Sequence, residues 1–374
     1  MAGIRIQESG FRYQGWIQES GLIPVSFRPH SKAEVHVARS HIVRLALVAL
    51  VLTLPAPDLI AQRSGASNAP ARVPVNCDRR CLEGLVDQYL AAVVAHDPKR
   101  VPLSADVRYT ENDQLLDVGD GFWNTATGRG NYDHYFSDPV SGQVGWMGTM
   151  KEQRGVLLMA LRLRVQLGRI TEIESSFFRA GGGGPNDIAA MDALGTPEAL
   201  WLQPPPNSKP YSRHELIEIA NAYFEGVQRN DGKGFYPFTD DCDRIENGSH
   251  TTNVKNARAT TANFNYMASG CKAQLESGYL GIVTNVHHRR FQLVDEERGV
   301  VWAYCVFDMG GTVKTIALTN GETADMSQFA GRASSIEVTE AFRIENGKIR
   351  RVEMIGSSAP YHMTPGWPGG ISGK

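Results

Sequence analysis

Residues 168–174 read GRITEIE and residues 347–353 read GKIRRVE. Each is a turn glycine followed by a run that alternates apolar and polar side chains, the signature of a last strand with one face on a core. An amphipathic helix opens each half. In the first, Leu82, Leu85, Val86, Tyr89, Leu90 and Val93 form one apolar stripe. It stops at Asp97-Pro98, where proline pushes the preceding residue out of the helix. In the second, Ser212-Arg213-His214-Glu215 is a capping box, followed by the stripe Leu216, Ile219, Ala220, Tyr223, Phe224 and Val227. A constant offset of 134 lays Leu85 on Ile219, Tyr89 on Tyr223 and Val93 on Val227, and an offset of 135 lays Thr110-Glu111-Asn112 on Ile245-Glu246-Asn247. Three separated matches in register make an internal duplication the economical reading.

Extended runs fill the rest: 154–167, 281–295, 299–308, 335–344 and 348–355. Each half therefore reads as a leading helix followed by antiparallel strands, an α+β arrangement. Val300–Phe307 is apolar on both faces, as a covered central strand should be. The expected division is a first half over 80–180, a Gly/Pro-rich linker over 181–211, a second half over 212–356 and a tail over 357–374.

Leu45–Leu54 reads LALVALVLTL, preceded by Arg39, His41 and Arg44 and followed by Pro55, Pro57 and Leu59-Ile60-Ala61. That is a basic region, a short apolar region and a cleavage point near Ala61, so a signal peptide is expected and the mature chain has no membrane span. The polar residues upstream suggest a true start at Val35, Val37 or Val43. Residues 1–61 are thus extension plus signal peptide, and 62–79 a linker. Secretion or a periplasmic location follows, and disulfides become permissible. Of 374 residues 42% are hydrophobic, and the net charge is −2, which offers no nucleic-acid footprint.

The five cysteines leave at least one unpaired within the chain. Cys242 and Cys271 can bridge a loop worth roughly 3–4 kcal/mol in the chain-entropy account. Cys77 and Cys81 can pair across one turn, or bind zinc, although no histidine stands near them. Cys305, inside an apolar run, reads as a buried thiol.

The leading helix, the early acid-bearing segment and the closing G-[RK]-I-x-x-[IV]-E strand resemble the SnoaL-like, nuclear-transport-factor-2-like superfamily. That resemblance implies two tandem cones, each a curved antiparallel sheet packed on N-terminal helices, with a pocket inside. It implies a range of roles, from dehydratases, isomerases, cyclases and hydrolases to non-catalytic binding modules, and an internal pseudo-dimer of the two halves. Cys242-x-Arg244-x-Glu246-Asn247-Gly248 with Thr251-Thr252, Tyr109-Thr110-Glu111-Asn112, Pro360-Tyr361 and Gly366-Trp367 also resemble an uncharacterised family of secreted fungal and bacterial proteins.

The candidate chemistry starts from the duplicated Glu-Asn pair. A carboxylate desolvated in a cone gains a raised pKa and can move a proton, while a carboxamide holds a carbonyl or hydroxyl. Glu111 and Glu246 are thus candidate catalytic groups, and Asn112 and Asn247 candidate substrate contacts; the structural alternative is a turn cap. Arg244, two residues from Glu246 on a strand, is a candidate clamp or a rim ion pair. In His287-His288-Arg289-Arg290, alternation predicts His287 and Arg289 on one face, with His287 a candidate base or part of a charged edge. Tyr89, Tyr223 and Trp123 could line a pocket or fill the core. Asp240, Asp241 and Asp243 do not match a calcium loop. Walker, GxGxxG, HExxH and GxSxG motifs are missing, so the expectation is no cofactor, no metal and a small-molecule ligand. Two functions compete: a cofactor-independent lyase or isomerase working by acid–base catalysis, and a non-catalytic ligand- or partner-binding module.

Overall fold

The structure, a computed structural model, describes residues 77–206 and 209–371. The expected signal peptide, cleavage point and alternative starts lie outside the described residues. The first half opens with α1 (Arg79–Val94), capped by the Asp78 carboxylate on the Cys81 N–H, and buries Leu82, Val86, Tyr89, Leu90 and Val93 as the stripe requires. Six strands follow: β1 (Leu103–Glu111), β2 (Gln114–Leu116), β3 (Ala126–Asp138), β4 (Gln143–Glu152), β5 (Gly155–Gln166) and β6 (Arg169–Phe178). After a short helix α2 (Ile188–Leu194), the second half opens with α3 (Arg213–Arg229), whose Ser212–Glu215 capping box is formed. Its elements are β7 (Phe238–Glu246), β8 (Ser249–His250), α4 (Cys271–Glu276), β9 (Asn285–Asp295), β10 (Val300–Met309), a hairpin of β11 (Thr315–Ala317) and β12 (Thr323–Asp325), β13 (Ser334–Glu345) and β14 (Lys348–Ala359).

The strand orders are β2-β1-β6-β5-β4-β3 and β8-β7-β14-β13-β10-β9, the same connectivity twice. The fold is α+β, with two tandem curved sheets. They are mixed rather than purely antiparallel: β1 pairs parallel with β6, and β7 with β14. The reason is topological. The chain crosses from the first strand to the far edge and meanders back through four strands, so the last one arrives alongside the first in the same direction. Matching registers fix the corresponding residues. Glu174 faces Thr110 and Arg162, and Glu353 faces Ile245 and Ala341. Tyr109 therefore corresponds to Arg244, Glu111 to Glu246, Leu161 to Glu340 and Gly145 to Trp302.

One face of each sheet covers its own helix. The apolar cores are separate: Tyr89, Trp123, Trp146 and Leu161 in the first, Tyr223, Phe224, Cys305 and Phe342 in the second. The opposite faces pack on each other through a third core that mixes Tyr132, Phe136 and Leu158 with Leu293, Trp302 and Ile355. The 181–211 segment is no bare linker, since it places buried Met191 and Trp201 in that shared core, with Trp201 edge-on to Phe136. The tail is also docked. Trp367 Nε1 donates to Thr110 Oγ1 at 2.8 Å, and its ring lies 5.0 Å from the guanidinium groups of both Arg108 and Arg162.

Gly145 and Trp302 meet although they occupy corresponding positions in the two sheets. A Cβ on Gly145 would stand 2.8 Å from the Trp302 ring. Two identical large side chains could not both fit there, so the copies have diverged into one small and one large. Gly145→Leu is expected to destabilise the protein by about 3 kcal/mol through overpacking. Urea unfolding followed by tryptophan fluorescence checks this, and an unchanged midpoint would contradict the contact.

Candidate functional site

The interior of the first half holds Glu111 beside two buried tyrosines. Its Oε1 accepts the Tyr109 hydroxyl and, at 2.6 Å, the Phe122 N–H. Burial pushes the carboxyl up, while those two hydrogen bonds hold it down. Gly121 sits at φ +63° directly under the carboxylate, where any Cβ would strike it. Tyr89 is 1% exposed and its ring meets Trp123 edge-on at 5.3 Å. The remainder is apolar, with Trp146, Leu161, Leu163 and Ile173 filling the sheet face. Tyr89 and Trp123 are buried in the core of the first half.

The second half is built differently at the same positions. Arg244 stands where the first half has Tyr109, and Glu340 where it has Leu161. Arg244 is 2% exposed. Its Nε lies 2.7 Å from Glu246 Oε1, and its Nη2 donates to Gln274 Oε1 at 2.7 Å and Tyr266 Oη at 3.1 Å. Its Nη1 reaches Tyr223 Oη at 3.4 Å. Thr251 Oγ1 receives its Nε at 3.0 Å. Gln274 is fixed in turn by donating to the Thr251 and Tyr266 carbonyls. The Cys242–Cys271 disulfide ties α4, which carries Gln274, to β7, which carries Arg244.

Glu340 completes the cluster. It is 1% exposed, its Oε2 has no hydrogen-bond partner, and Tyr223 is its hydrogen-bonding neighbour. Burial and then the Glu246 carboxylate raise its pKa from 4.5 to about 8, against the pull of Arg244 and Tyr223. Burial, then Glu340 itself, pushes the Tyr223 hydroxyl upward as well. At neutral pH this gives a protonated carboxyl next to a charged guanidinium. Glu340 lies beside Met354 across the β13–β14 ladder, and Met354 lies beside Glu246 across β14–β7. Phe307, Ile336, Met354 and Glu246 share that face and are half-buried.

The structure thus brings Tyr223, Arg244 and Glu246 together, and leaves Glu111 in the other half. Neither asparagine joins them. Asn112 (φ +43°) and Asn247 (φ +47°) occupy left-handed turns. The Asn112 carboxamide accepts the Phe177 N–H at 2.7 Å, and the Asn247 carboxamide exchanges two 3.0 Å bonds with the Gly356 backbone. Each pins the turn after the first strand to the closing strand, the structural role that duplicates with the fold.

The expectation for His287 is also corrected. His288 has φ +53° and the β9–β10 register shifts there, a bulge that breaks strict alternation. Arg289 consequently reaches Asn221 on α3 at 3.3 Å, whereas His287 turns to the other face and meets Asp308 at 3.2 Å. It cannot serve the Glu340 cluster as a base. Cys77–Cys81 and Cys242–Cys271 are both disulfides, and Cys305 is a buried free thiol.

Sequence reasoning missed Glu340, although a signal was there. Along β13 the inward residues are Ile336, Val338, Glu340 and Phe342, an apolar series interrupted by one acid. Tyr266 and Gln274 lie in an irregular insertion without periodicity, so only the fold could bring them in.

The family described as a domain of unknown function, DUF8021, matches residues 209–356, which include the Glu340 cluster. No curated protein matches the chain. Among solved structures, AclR of Streptomyces galilaeus, a suggested hydroxylase, is 14% identical over 40% of this chain and 83% of its own, with a TM-score of 0.26. A de novo designed protein with a curved β-sheet is 14% identical over 39% of this chain and 87% of its own, with a TM-score of 0.22. A phenazine biosynthesis-related protein of Pseudomonas aeruginosa is 9% identical over 41% of this chain and 84% of its own, with a TM-score of 0.21.

Proposed function

We propose that the chain is an exported small-molecule-binding protein that acts as a cofactor-independent lyase or isomerase in its second half. The observation that carries this reading is the buried Glu340 carboxyl with an unpartnered oxygen, held protonated near neutrality beside Arg244 and Tyr223. Such a group can donate a proton to a carbonyl or leaving oxygen while the Glu246 carboxylate takes one from the adjacent carbon, and the reverse transfers restore both groups. Arg244, fixed by Tyr266, Gln274 and Glu246, would hold developing negative charge. Glu246 would keep Glu340 protonated by repulsion. In the first half Leu161 replaces the acid, so that half serves as the packing partner of an internal pseudo-dimer. Export is supported by two disulfides and by the signal-like run at 45–54. Among the described residues, no helix is long and apolar enough to cross a membrane.

The test is deuterium exchange. A panel of small cyclic and acyclic ketones is incubated with the protein in heavy water, and exchange next to the carbonyl is followed by proton NMR. Glu340→Gln is expected to slow the exchange by roughly 100-fold or more, while Glu111→Gln leaves it unchanged. Equal rates in wild type and folded Glu340→Gln, or binding without exchange, would favour the non-catalytic module instead.

A further inference from the structure

We propose that His287, Asp308 and His362 form a binding site for one divalent first-row transition-metal ion. The site lies on the face of the second sheet opposite the Glu340 cluster, and nothing in the acid–base reading depends on it. One ligand atom from each of the three residues lies within 4.8 Å of the other two. His287 Nε2 is 3.2 Å and His362 Nδ1 2.6 Å from the same oxygen, Asp308 Oδ2. Metal–ligand bonds of about 2.0–2.2 Å place neighbouring donor atoms roughly 3 Å apart. The first separation already fits. The second has to open by a few tenths of an ångström, and His362, with a side chain 64% exposed, is the residue free to move.

His287 supplies the independent observation. Its side chain is 4% exposed, and Nε2 faces Asp308 Oδ2 at 3.2 Å in an ion-pair contact that falls short of hydrogen-bond geometry. Its other nitrogen, Nδ1, is 2.5 Å from His288 Nδ1. When Nδ1 carries the proton, the Nε2 lone pair faces Asp308, an arrangement that a cation between them would make favourable. Asp308 is fully buried and fixed for ligation. Ser335 donates its hydroxyl to Oδ1 at 2.5 Å, and Ser335 Oγ accepts the His362 N–H at 2.8 Å. Such outer partners orient metal-binding carboxylates.

Two imidazoles and one carboxylate suit zinc, iron(II), cobalt or nickel rather than calcium or magnesium. Three protein ligands leave at least one position for water or a small anion. The ion would also join the C-terminal segment to β9 and β10. No local spacing announces the set, because one ligand comes from each of two strands and the third from the tail.

The experiment uses the untagged full chain, stripped with a chelator and titrated with zinc or cobalt(II) alone. Calorimetry gives stoichiometry, and the visible cobalt spectrum reports coordination. One ion per chain is expected. His362→Ala, an exposed change that spares the core, should weaken binding by roughly 100-fold or more, and Ser335→Ala by about 10–100-fold. His214→Ala, at the exposed His214–Glu218 pair on α3, should leave affinity unchanged. Absence of binding by the folded wild type would overturn the proposal. So would equal affinity in His362→Ala and wild type.

Discussion

Replacing Glu340 with glutamine is expected to abolish most of the fall in stability that the wild-type protein shows between about pH 4.5 and pH 8. The folded chain holds the Glu340 proton up to about 8, against an ordinary value of 4.5. Between those values the folded state binds more protons than the unfolded one, so stability declines as pH rises. The contribution is complete below about 4.5 and lost above about 8. At 1.36 kcal/mol per pH unit the full loss is roughly 4–5 kcal/mol, an upper figure for so enclosed a group. Glutamine has nearly the same shape and no proton to lose. The two proteins should therefore be similar in stability at pH 5, and the variant more stable by several kcal/mol at pH 8.5. Urea unfolding at three pH values measures this; parallel curves for the two proteins would show that Glu340 ionises normally. Glu246→Gln should make the decline smaller and end it at lower pH, because it removes the carboxylate repulsion acting on Glu340, which then ionises earlier.

The duplication was legible because both copies keep the residues that any such fold needs. The tyrosine on the helix face, the asparagine turn and the closing glycine-led strand each serve backbone geometry or the core. The same fact hides the cluster around Glu340, which the first half does not repeat. What repeats between copies is structure, and the buried charged cluster of the second half stands where the copies differ, at Tyr109 against Arg244 and Leu161 against Glu340. The bulge at His288 is a second case. Period-two reasoning places His287 and Arg289 together, and one left-handed residue separates them. The parallel pairing of first and last strands was hidden for another reason, since strand direction depends on the number of crossings and leaves no trace in local sequence.

Glu174→Gln is expected to cost about 3–5 kcal/mol at pH 5, because this one carboxylate neutralises a buried arginine from each half. Glu174 is 2% exposed. It receives Arg162 Nε at 2.9 Å from β5, and Arg290 of β9 binds both its oxygens. Arg162 keeps Glu172 at 2.8 Å when Glu174 is lost, whereas the carboxyl groups that remain to act on Arg290 among the described residues are those of Asp113 and Glu337. Burial first, and Glu174 second, push Asp113 up to about 7, and burial followed by Asp113 and Glu174 raises Glu337. Both are therefore largely protonated at pH 5 and offer Arg290 little. Removing Glu174 takes away a repulsion, so the pair ionises at lower pH in the variant and partly replaces the lost charge. The penalty should accordingly shrink as pH rises from 5 to 8. At pH 5, where Asp113 and Glu337 keep their protons, replacing Arg162, Glu174 and Arg290 together by methionine should cost far less than the single change. Chemical unfolding of the three proteins at pH 5 and pH 8 decides the matter. A loss below about 1 kcal/mol for Glu174→Gln at pH 5 would mean that water, rather than this carboxylate, satisfies the arginines at the seam.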